Sequence, residues 1–286
     1  TFMSVDAHHS PDSDWLRMRR DQETGIESVH AHFQGHAYDP HDHDEMLVGI
    51  TQQGVQQFSC NRSLHVSTPG RAILIEPGAV HDGHAPEKEG FTYAMLYLPQ
   101  SYVSGITERL GLGDASALQA AFHSTLTDDV QLIGAIQQAF TAVHQNEGRL
   151  ARDQSLDQLL GTLSRHLYLK APSLRRDSPL ELQRARDFLH AQMAHDVSLE
   201  ELATYSGVDR FRLTRQFKKA FGQSPHAYLV RLRLRAARAM LARGMAPVEV
   251  AAEVGFADQS HLGVWFRRAF RMTPAAYRKQ CTNLTD

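Results

Sequence analysis

The chain has only two cysteines among its 286 residues, and it has no long apolar run. Cys60 and Cys281 are too few and too far apart in sequence to form a disulfide framework. No stretch approaches the ~18 apolar residues of a membrane span. The first residues lack the basic segment and apolar core of a secretory signal. These absences lead us to expect a cytoplasmic protein.

A strong net charge of one sign is also absent, but the charges are divided unevenly. The whole chain has 30 Lys+Arg and 32 Asp+Glu. Residues 178–286 contain 17 of the basic and 10 of the acidic residues, a net charge of +7. The rest of the chain holds the other 13 basic and 22 acidic residues, a net charge of −9. This division predicts an acidic domain joined to a basic domain that contacts nucleic acid.

A repeated pattern fills residues 198–277. Gly207 recurs 48 residues later as Gly255, and after one extra residue in the turn Phe217 recurs 49 residues later as Phe266. Each copy predicts a helix, a turn at a glycine with positive φ, and a second helix. Two helix–turn–helix units in series suit two neighbouring major-groove segments of DNA.

Local signals mark where these helices begin. Ser198 and Glu201 form a capping box before the first helix of the first copy. Asp209 and Asp258 are placed to cap the second helix of each copy. Between the copies, an apolar segment predicts a connecting helix that Gly244 ends. The remaining face of that helix carries three arginines, namely Arg231, Arg235 and Arg238.

The second helix of each copy has a polar face opposite its apolar stripe, and this face is expected to meet DNA. Its residues are Arg210, Phe211, Thr214, Arg215 and Lys218 in the first copy and Gln259, Ser260, His261, Val264 and Arg267 in the second. Arg215 suits a bidentate contact with guanine, and Val264 suits a thymine methyl group. Lys218, Arg267 and Arg268 suit phosphates. Gly263 and Val264 offer no side-chain hydrogen bonds, so the second helix should read bases more weakly.

The region from residue 15 to residue 100 predicts short strands separated by turns. Apolar or alternating runs occur at 25–38, 46–50, 55–58, 64–66, 71–75 and 91–98. This spacing is typical of a small barrel or a double-sheet jelly roll. Amphipathic helices are predicted between residues 101 and 169, one from Val130 to Val143 and one from Leu156 to Leu167.

Three histidines in this region are predicted to converge. His41 and His43 alternate on one strand and therefore point the same way. His81 follows about forty residues later and could join them on one cavity. Two histidines with a carboxylate suit iron(II), and three histidines suit zinc. A ligand-pocket role, a divalent metal on His41, His43 and His81, and a purely structural role all remain open.

Two resemblances add to these interpretations. The 198–277 stretch resembles the AraC/XylS-type transcription regulators, most closely in EVGFADQSHLGVWFRRAFRMTPAAYR. The histidine segments resemble the cupin barrel that AraC-type sensor domains use, although Glu45 is too close to His43 for the cupin metal pattern. The resemblance implies a ligand-responsive transcription regulator, and it favours an activator over a repressor. It also implies a homodimer that binds double-stranded DNA and RNA polymerase. Membrane contact and catalysis are not expected. The expected effector-lining residues are His41, His43, Glu45, His81, Tyr93 and Met95.

The predicted fold is an α+β multidomain chain in which a cupin-like barrel and helices precede an all-α domain. The expected divisions are a disordered or artificial N-terminus at 1–14, a ligand-binding and dimerisation domain at 15–169, a linker at 170–179 and a DNA-binding domain at 180–286. Two alternatives remain: a metal-dependent cupin enzyme with a DNA-binding tail, and a DNA-repair alkyl acceptor. The latter requires an activated thiolate, and neither cysteine lies in a motif that provides one.

Overall fold

The computed structural model describes residues 14–109, 119–170 and 179–282. The proposed N-terminal extension, except for Asp14, and the proposed linker at 170–179, except for its two end residues, lie outside these residues. An antiparallel sheet domain comes first and an all-helical domain follows, which confirms the predicted fold class. No helix in the described ranges is both long and apolar enough to cross a membrane.

Antiparallel strands form most of the N-terminal domain. In chain order they are β1 (Trp15–Arg20), β2 (Glu27–Phe33), β3 (His36–His41), β4 (Met46–Gly54), β5 (Gln56–Cys60), β6 (Ser63–Ser67), β7 (Ala72–Ile75), β8 (His81–His84), β9 (Phe91–Leu98), β10 (Gln119–Phe122), β11 (Leu126–Thr127) and β12 (Leu167–Lys170). One sheet has the order β1-β2-β9-β4-β7-β11, and another has the order β3-β8-β5-β6. β10 pairs with β12.

Helices follow the strands and make up the rest of the chain. They are α1 (Gln100–Arg109), α2 (Val130–His144), α3 (Arg149–Leu163), α4 (Leu180–Ala191), α5 (Leu199–Ser206), α6 (Arg210–Phe221), α7 (Pro225–Ala242), α8 (Pro247–Val254), α9 (Gln259–Phe270) and α10 (Pro274–Thr282). The predicted helix-turn-helix units are α5–α6 and α8–α9, and α7 connects them.

Strand β9 separates two cores, because its alternate residues face opposite sides. Tyr93 and Met95 belong to a core that includes residues of the helical domain. Ala94 and Leu96 pack with α2 and α3 on the other side. The alternation in the sequence therefore predicted correctly which residues of this strand share a face.

Two details of the predicted middle helices differ. Val130 is 80% exposed. It is the first residue of α2, directly after the capping residue Asp129, and it lies before the buried turns of the helix. The run ending at Leu167 is not one helix. α3 ends at Leu163, a short 3-10 turn follows, and Leu167 begins β12. Pairing with β10 accounts for this change, since it gives the backbone of the last residues a strand partner.

The predicted start and turn signals of the helical domain are confirmed. Ser198 accepts from the Glu201 amide at 3.1 Å, and the Glu201 carboxylate accepts from the Ser198 amide at 2.8 Å. Asp209 caps α6, and Asp258 caps α9 through the His261 amide at 2.7 Å. The two turn glycines, Gly207 and Gly255, have φ of 70° and 84°.

Candidate DNA interface and interdomain cavity

The second helix of each helix-turn-helix unit presents a polar face to solvent. In α6, Phe211 is 72% exposed, and Arg210, Arg215 and Lys218 are exposed beside it, while Thr214 is half-buried. Leu213 and Phe217 are fully buried on the opposite face. The geometry of α6 thus keeps the predicted contact side chains available while its apolar side anchors the helix.

Helix α9 follows the same plan. Gln259, Ser260, His261 and Arg267 are exposed, and Val264 is 48% exposed. The indole N–H of Trp265 donates to His261 Nε2 at 3.0 Å, so this imidazole is held against its own helix. Arg267 also bends back, donating from Nε to the Gly263 carbonyl at 3.3 Å.

Arg268 does not behave as expected for a phosphate contact. Its Nε donates to Asp39 of β3 at 2.6 Å, so it binds the N-terminal domain in this arrangement. Its neighbour in the turn after α9, Arg271, pairs with Asp14 at 2.6 Å. Part of the positive charge that was expected to contact DNA is thus neutralised by carboxylates of the N-terminal domain.

The three arginines of α7 also face the N-terminal domain. They are spaced i, i+4 and i+7 and therefore share one helix face. Arg235 pairs with Asp44 and, at 3.3 Å, with Asp42. Arg231 lies 3.6 Å from the other oxygen of Asp42. Sequence reasoning placed these arginines on one face but did not pair them with the acidic segment at residues 42–45, although the two segments have opposite charge.

Arg238 is the most deeply buried member of this group. Its two terminal nitrogens bind Glu27 at 2.5 Å and Glu45 at 2.6 Å. The Tyr277 hydroxyl donates to Glu27 at 2.7 Å, so the helical domain supplies two partners for this carboxylate. Burial alone lowers the pKa of Arg238, but Glu27 and Glu45 outweigh it and raise the pKa well above its usual value. The guanidinium stays charged.

The three predicted histidines come together at this interface. His41 ends β3, His81 begins β8, and the two are paired across the strands. Their ligand nitrogens and one of His43 all lie within 4.8 Å of one another, and all three side chains are buried. Phe270, the last residue of α9, lies 5.6 Å from the ring centres of both His41 and His43.

The other predicted effector residues have different surroundings. Glu45 binds Arg238. Tyr93 makes a hydroxyl–hydroxyl contact with Tyr38 inside the domain. Met95 lies over Gly49 on the neighbouring strand β4. The cavity that Tyr93 and His43 line measures about 30 Å³, which is space for about one or two water molecules.

A much larger cavity lies between the domains. Its volume is about 780 Å³, within the range of small-molecule sites. The N-terminal domain contributes His41, Asp42 and His81 to its wall, and the helical domain contributes Arg231 and Trp265. Arg231 Nε and Asp42 Oδ1 are buried and have no hydrogen-bond partner in the described part of the chain. Burial raises the pKa of Asp42 despite the nearby Arg231 and Arg235.

Both cysteines are buried thiols. Burial, followed by Glu76 and Asp82, raises the pKa of Cys60 to about 12. Burial and Glu27 raise the pKa of Cys281 to about 11. Neither provides the thiolate that alkyl transfer requires.

Comparisons with known proteins agree with the division into two domains. Residues 23–160 match the model of the AraC-like ligand binding domain, and residues 202–280 match a helix-turn-helix domain model. Together these matches span most of the chain. The 23–160 match includes the histidine group and the acidic segment, and the 202–280 match includes α6, α7 and α9.

Relatives match over nearly the same length. The HTH-type transcriptional regulator YbfI of Bacillus subtilis is 25% identical over 227 residues, which cover 78% of this chain and 80% of that protein. The HTH-type transcriptional activator RhaS of Shigella sonnei is 24% identical over 248 residues, covering 84% and 87%. The crystal structure of an apo ToxT variant from Vibrio cholerae covers 92% of this chain and 100% of that one, with a TM-score of 0.56 and 11% identity, and so supports the fold alone.

These matches, with the ligand-binding domain and the paired helix-turn-helix units, show that the chain belongs to the AraC-type transcription regulators with an N-terminal sensor domain.

Proposed function

We propose that this regulator reads DNA with α6 and α9, and that α6 supplies the greater share of base recognition. The supporting observation is the exposed polar face of α6, where Arg215 and Lys218 lie opposite the buried Leu213 and Phe217. On α9, Val264 is exposed but has no hydrogen-bonding group. Arg215 reads a guanine, and Lys218 and Arg267 hold phosphates.

The experiment is a selection of bound duplexes from a random pool with the full chain, followed by substitution of the reading residues. Arg215→Ala should weaken binding to the selected duplex more than Val264→Ala, because a bidentate base contact outweighs one methyl contact. Lys218→Ala should weaken binding to all sequences alike and lower the salt dependence by about one counterion. A larger loss for Val264→Ala than for Arg215→Ala would contradict the assigned ranking.

We propose that the effector binds in the large interdomain cavity rather than in the small cavity that Tyr93 and His43 line. The difference in volume between the two cavities, about 780 Å³ against about 30 Å³, supports this assignment. Arg62, Arg186, Arg231 and Arg268 line the larger cavity and outnumber the carboxylates of its wall, Asp39, Asp42 and Asp82, so an anionic molecule such as a carboxylate or phosphate ester suits it. Of the residues first predicted for the effector, this assignment retains His41 and His81.

A thermal-shift screen of acidic metabolites on the full chain tests this assignment. A molecule present at 100 times its dissociation constant adds about 2.7 kcal/mol to the stability of the folded chain. The same molecule should lose most of its effect on Arg231→Gln and keep it on Tyr93→Phe, which changes only the small cavity. The reverse pattern would assign the effector to the small cavity beside Tyr93 and His43.

In this proposal an effector acts by changing how firmly the two domains are held together. It must bind more tightly to one domain arrangement than to the other, because equal affinity shifts no equilibrium. The cavity suits this role, since residues of both domains line its wall. The proposal also includes activation of transcription, homodimer formation, contact with RNA polymerase and a cytoplasmic location, as the family resemblance implies.

The rival function, a metal-dependent enzyme, is the less favoured of the two. The relatives reported above are named transcription regulators. In addition, Phe270 of the DNA-binding domain packs against His41 and His43, so the helical domain covers part of this histidine group. We therefore propose that the chain is not an enzyme.

A further inference from the structure

We infer that His41, His43 and His81 together bind one divalent transition-metal ion, with zinc as the preferred ion. His41 and His81 also line the proposed effector cavity, but neither the DNA-reading proposal nor the effector proposal requires a metal ion. Its test uses no DNA and no effector, so the proposals can fail independently.

Hydrogen bonds fix the orientation of two of the three imidazoles. His41 Nδ1 is 2.8 Å from the Asp39 carbonyl oxygen, and His81 Nδ1 is 2.9 Å from the Ala79 carbonyl oxygen. A carbonyl only accepts, so each Nδ1 carries the proton and each Nε2 keeps a lone pair. Metal-binding histidines characteristically donate their second ring nitrogen to such a carbonyl. His41 and His81 thus have the tautomer that a metal site needs.

His43 provides the observation that a structural role does not explain. Both of its ring nitrogens are buried, and neither has a hydrogen-bond partner within the described ranges. A buried polar atom without a partner is costly, and native proteins contain few of them. A metal ion shared with His41 and His81 would satisfy one of these nitrogens.

The distances between the three side chains agree with this assignment. The three ligand nitrogens lie within 4.8 Å of one another. At Zn–N bond lengths of about 2.0 Å, nitrogens on one tetrahedral ion are about 3.3 Å apart, so side-chain shifts on the order of 1 Å close the site.

The neighbouring carboxylates decide which metal is preferred. Glu45 binds Arg238, and Asp42 lies between Arg231 and Arg235. With both carboxylates paired to arginines, the donor set is three neutral imidazoles rather than two imidazoles and a carboxylate. Three histidines with one open position are a zinc arrangement, whereas the mixed set suits iron(II).

The test is metal binding by the full chain after removal of metal with a chelator. Zinc added to the apo chain should bind with a stoichiometry of one per chain, measured by calorimetry and by elemental analysis after gel filtration. Cobalt(II) in its place should give the intense visible absorption of a tetrahedral site. His41→Ala and His81→Ala should each weaken zinc binding by about 100-fold or more.

Matched controls come from the same strands. His36→Ala on β3 and His84→Ala on β8 remove histidines outside the group, and both should bind zinc within about twofold of the unsubstituted chain. His43→Leu guards against misfolding, because it replaces the two unpaired nitrogens with a side chain that suits a buried site. It should melt at the same or a higher temperature without metal and yet lose zinc binding.

Three results would overturn the inference. The apo chain could bind less than half an equivalent of zinc, His43→Leu could bind zinc as tightly as the unsubstituted chain, or the His36 and His84 controls could lose as much affinity as the variants of the three histidines. Each of these results would show that the three histidines do not form a metal site.

Discussion

At the scale of single residues, Arg238 joins the two domains through charge. It is 7% exposed, and Glu27, one of its two carboxylate partners, is 1% exposed. Burying charges in this way costs solvation free energy, which the ion pairs repay only while all partners are present. The cluster is therefore sensitive to the loss of any one member.

Arg238→Met should destabilise the full chain by about 3 kcal/mol, because it removes the shared cation of the buried Glu27 and the half-buried Glu45 and leaves only Arg20 paired with Glu27. Urea unfolding of the full chain measures this loss. Arg243→Met, at the exposed end of the same helix, is the control and should change stability by about 0.5 kcal/mol or less.

A double-mutant cycle separates the ion pair from simple loss of packing. Glu27→Gln combined with Arg238→Met should cost less than the sum of the two single substitutions, by about 0.5–3 kcal/mol, because the two side chains are in contact. Strict additivity would mean that Arg238 acts on stability through its apolar stem and not through Glu27.

The residues of this interface show which contacts could be predicted from the sequence and which could not. The grouping of His41, His43 and His81 was predicted correctly, but the reason was wrong, because β3 ends at His41 and His43 lies in the segment between β3 and β4. The pairing of Arg238 with Glu27 could not, since 211 residues separate them and no local pattern specifies the contact. The opposite charges of segments 42–45 and 231–238 were a signal, but the same arginines also fitted the general positive charge of a DNA-binding domain.

At the scale of structural elements, the two helix-turn-helix units are equivalent in sequence but not in environment. A Cβ added to Gly255 would lie 2.5 Å from the backbone oxygen of Ala194, in the loop after α4. A Cβ added to Gly207 would meet nothing within 4 Å. Both glycines have positive φ, so only the packing differs.

Gly207→Ala should cost about 1–2 kcal/mol, the strain of a side chain in the left-handed region. Gly255→Ala should cost clearly more, because the same strain is joined by a clash with backbone that cannot rotate away. Thermal unfolding of the two variants compares them directly. Equal losses would mean that the second turn does not pack against the loop after α4 as described.

Helices and caps were the best-predicted elements, and strand details were predicted less well. Ser198 and Asp258 act within four residues of their partners, so their roles follow from spacing. Strands β1, β3 and β8 carry weaker patterns and depend on partners distant in sequence, which explains why β1 and β8 were not recognised as separate strands. The end of α3 at Leu163 was missed because pairing with β10 decides it.

At the scale of the whole molecule, the division of charge serves two purposes. The sequence indicated a basic domain for DNA and an acidic domain beside it. In the structure, arginines of α7 and the C-terminal end of α9 pair with acidic residues of the sensor domain, while the exposed face of α6 keeps its positive charge. The same charge difference thus holds the domains together and leaves a surface for DNA.

Base reading by α6 is tested with Arg215→Ala on the duplex selected by the unsubstituted chain. Binding is measured over a range of salt concentrations and on duplexes changed at one base pair at a time. We expect Arg215→Ala to lose about 1–3 kcal/mol of binding free energy and to relax specificity at one position. Unchanged affinity and specificity on that duplex would contradict it.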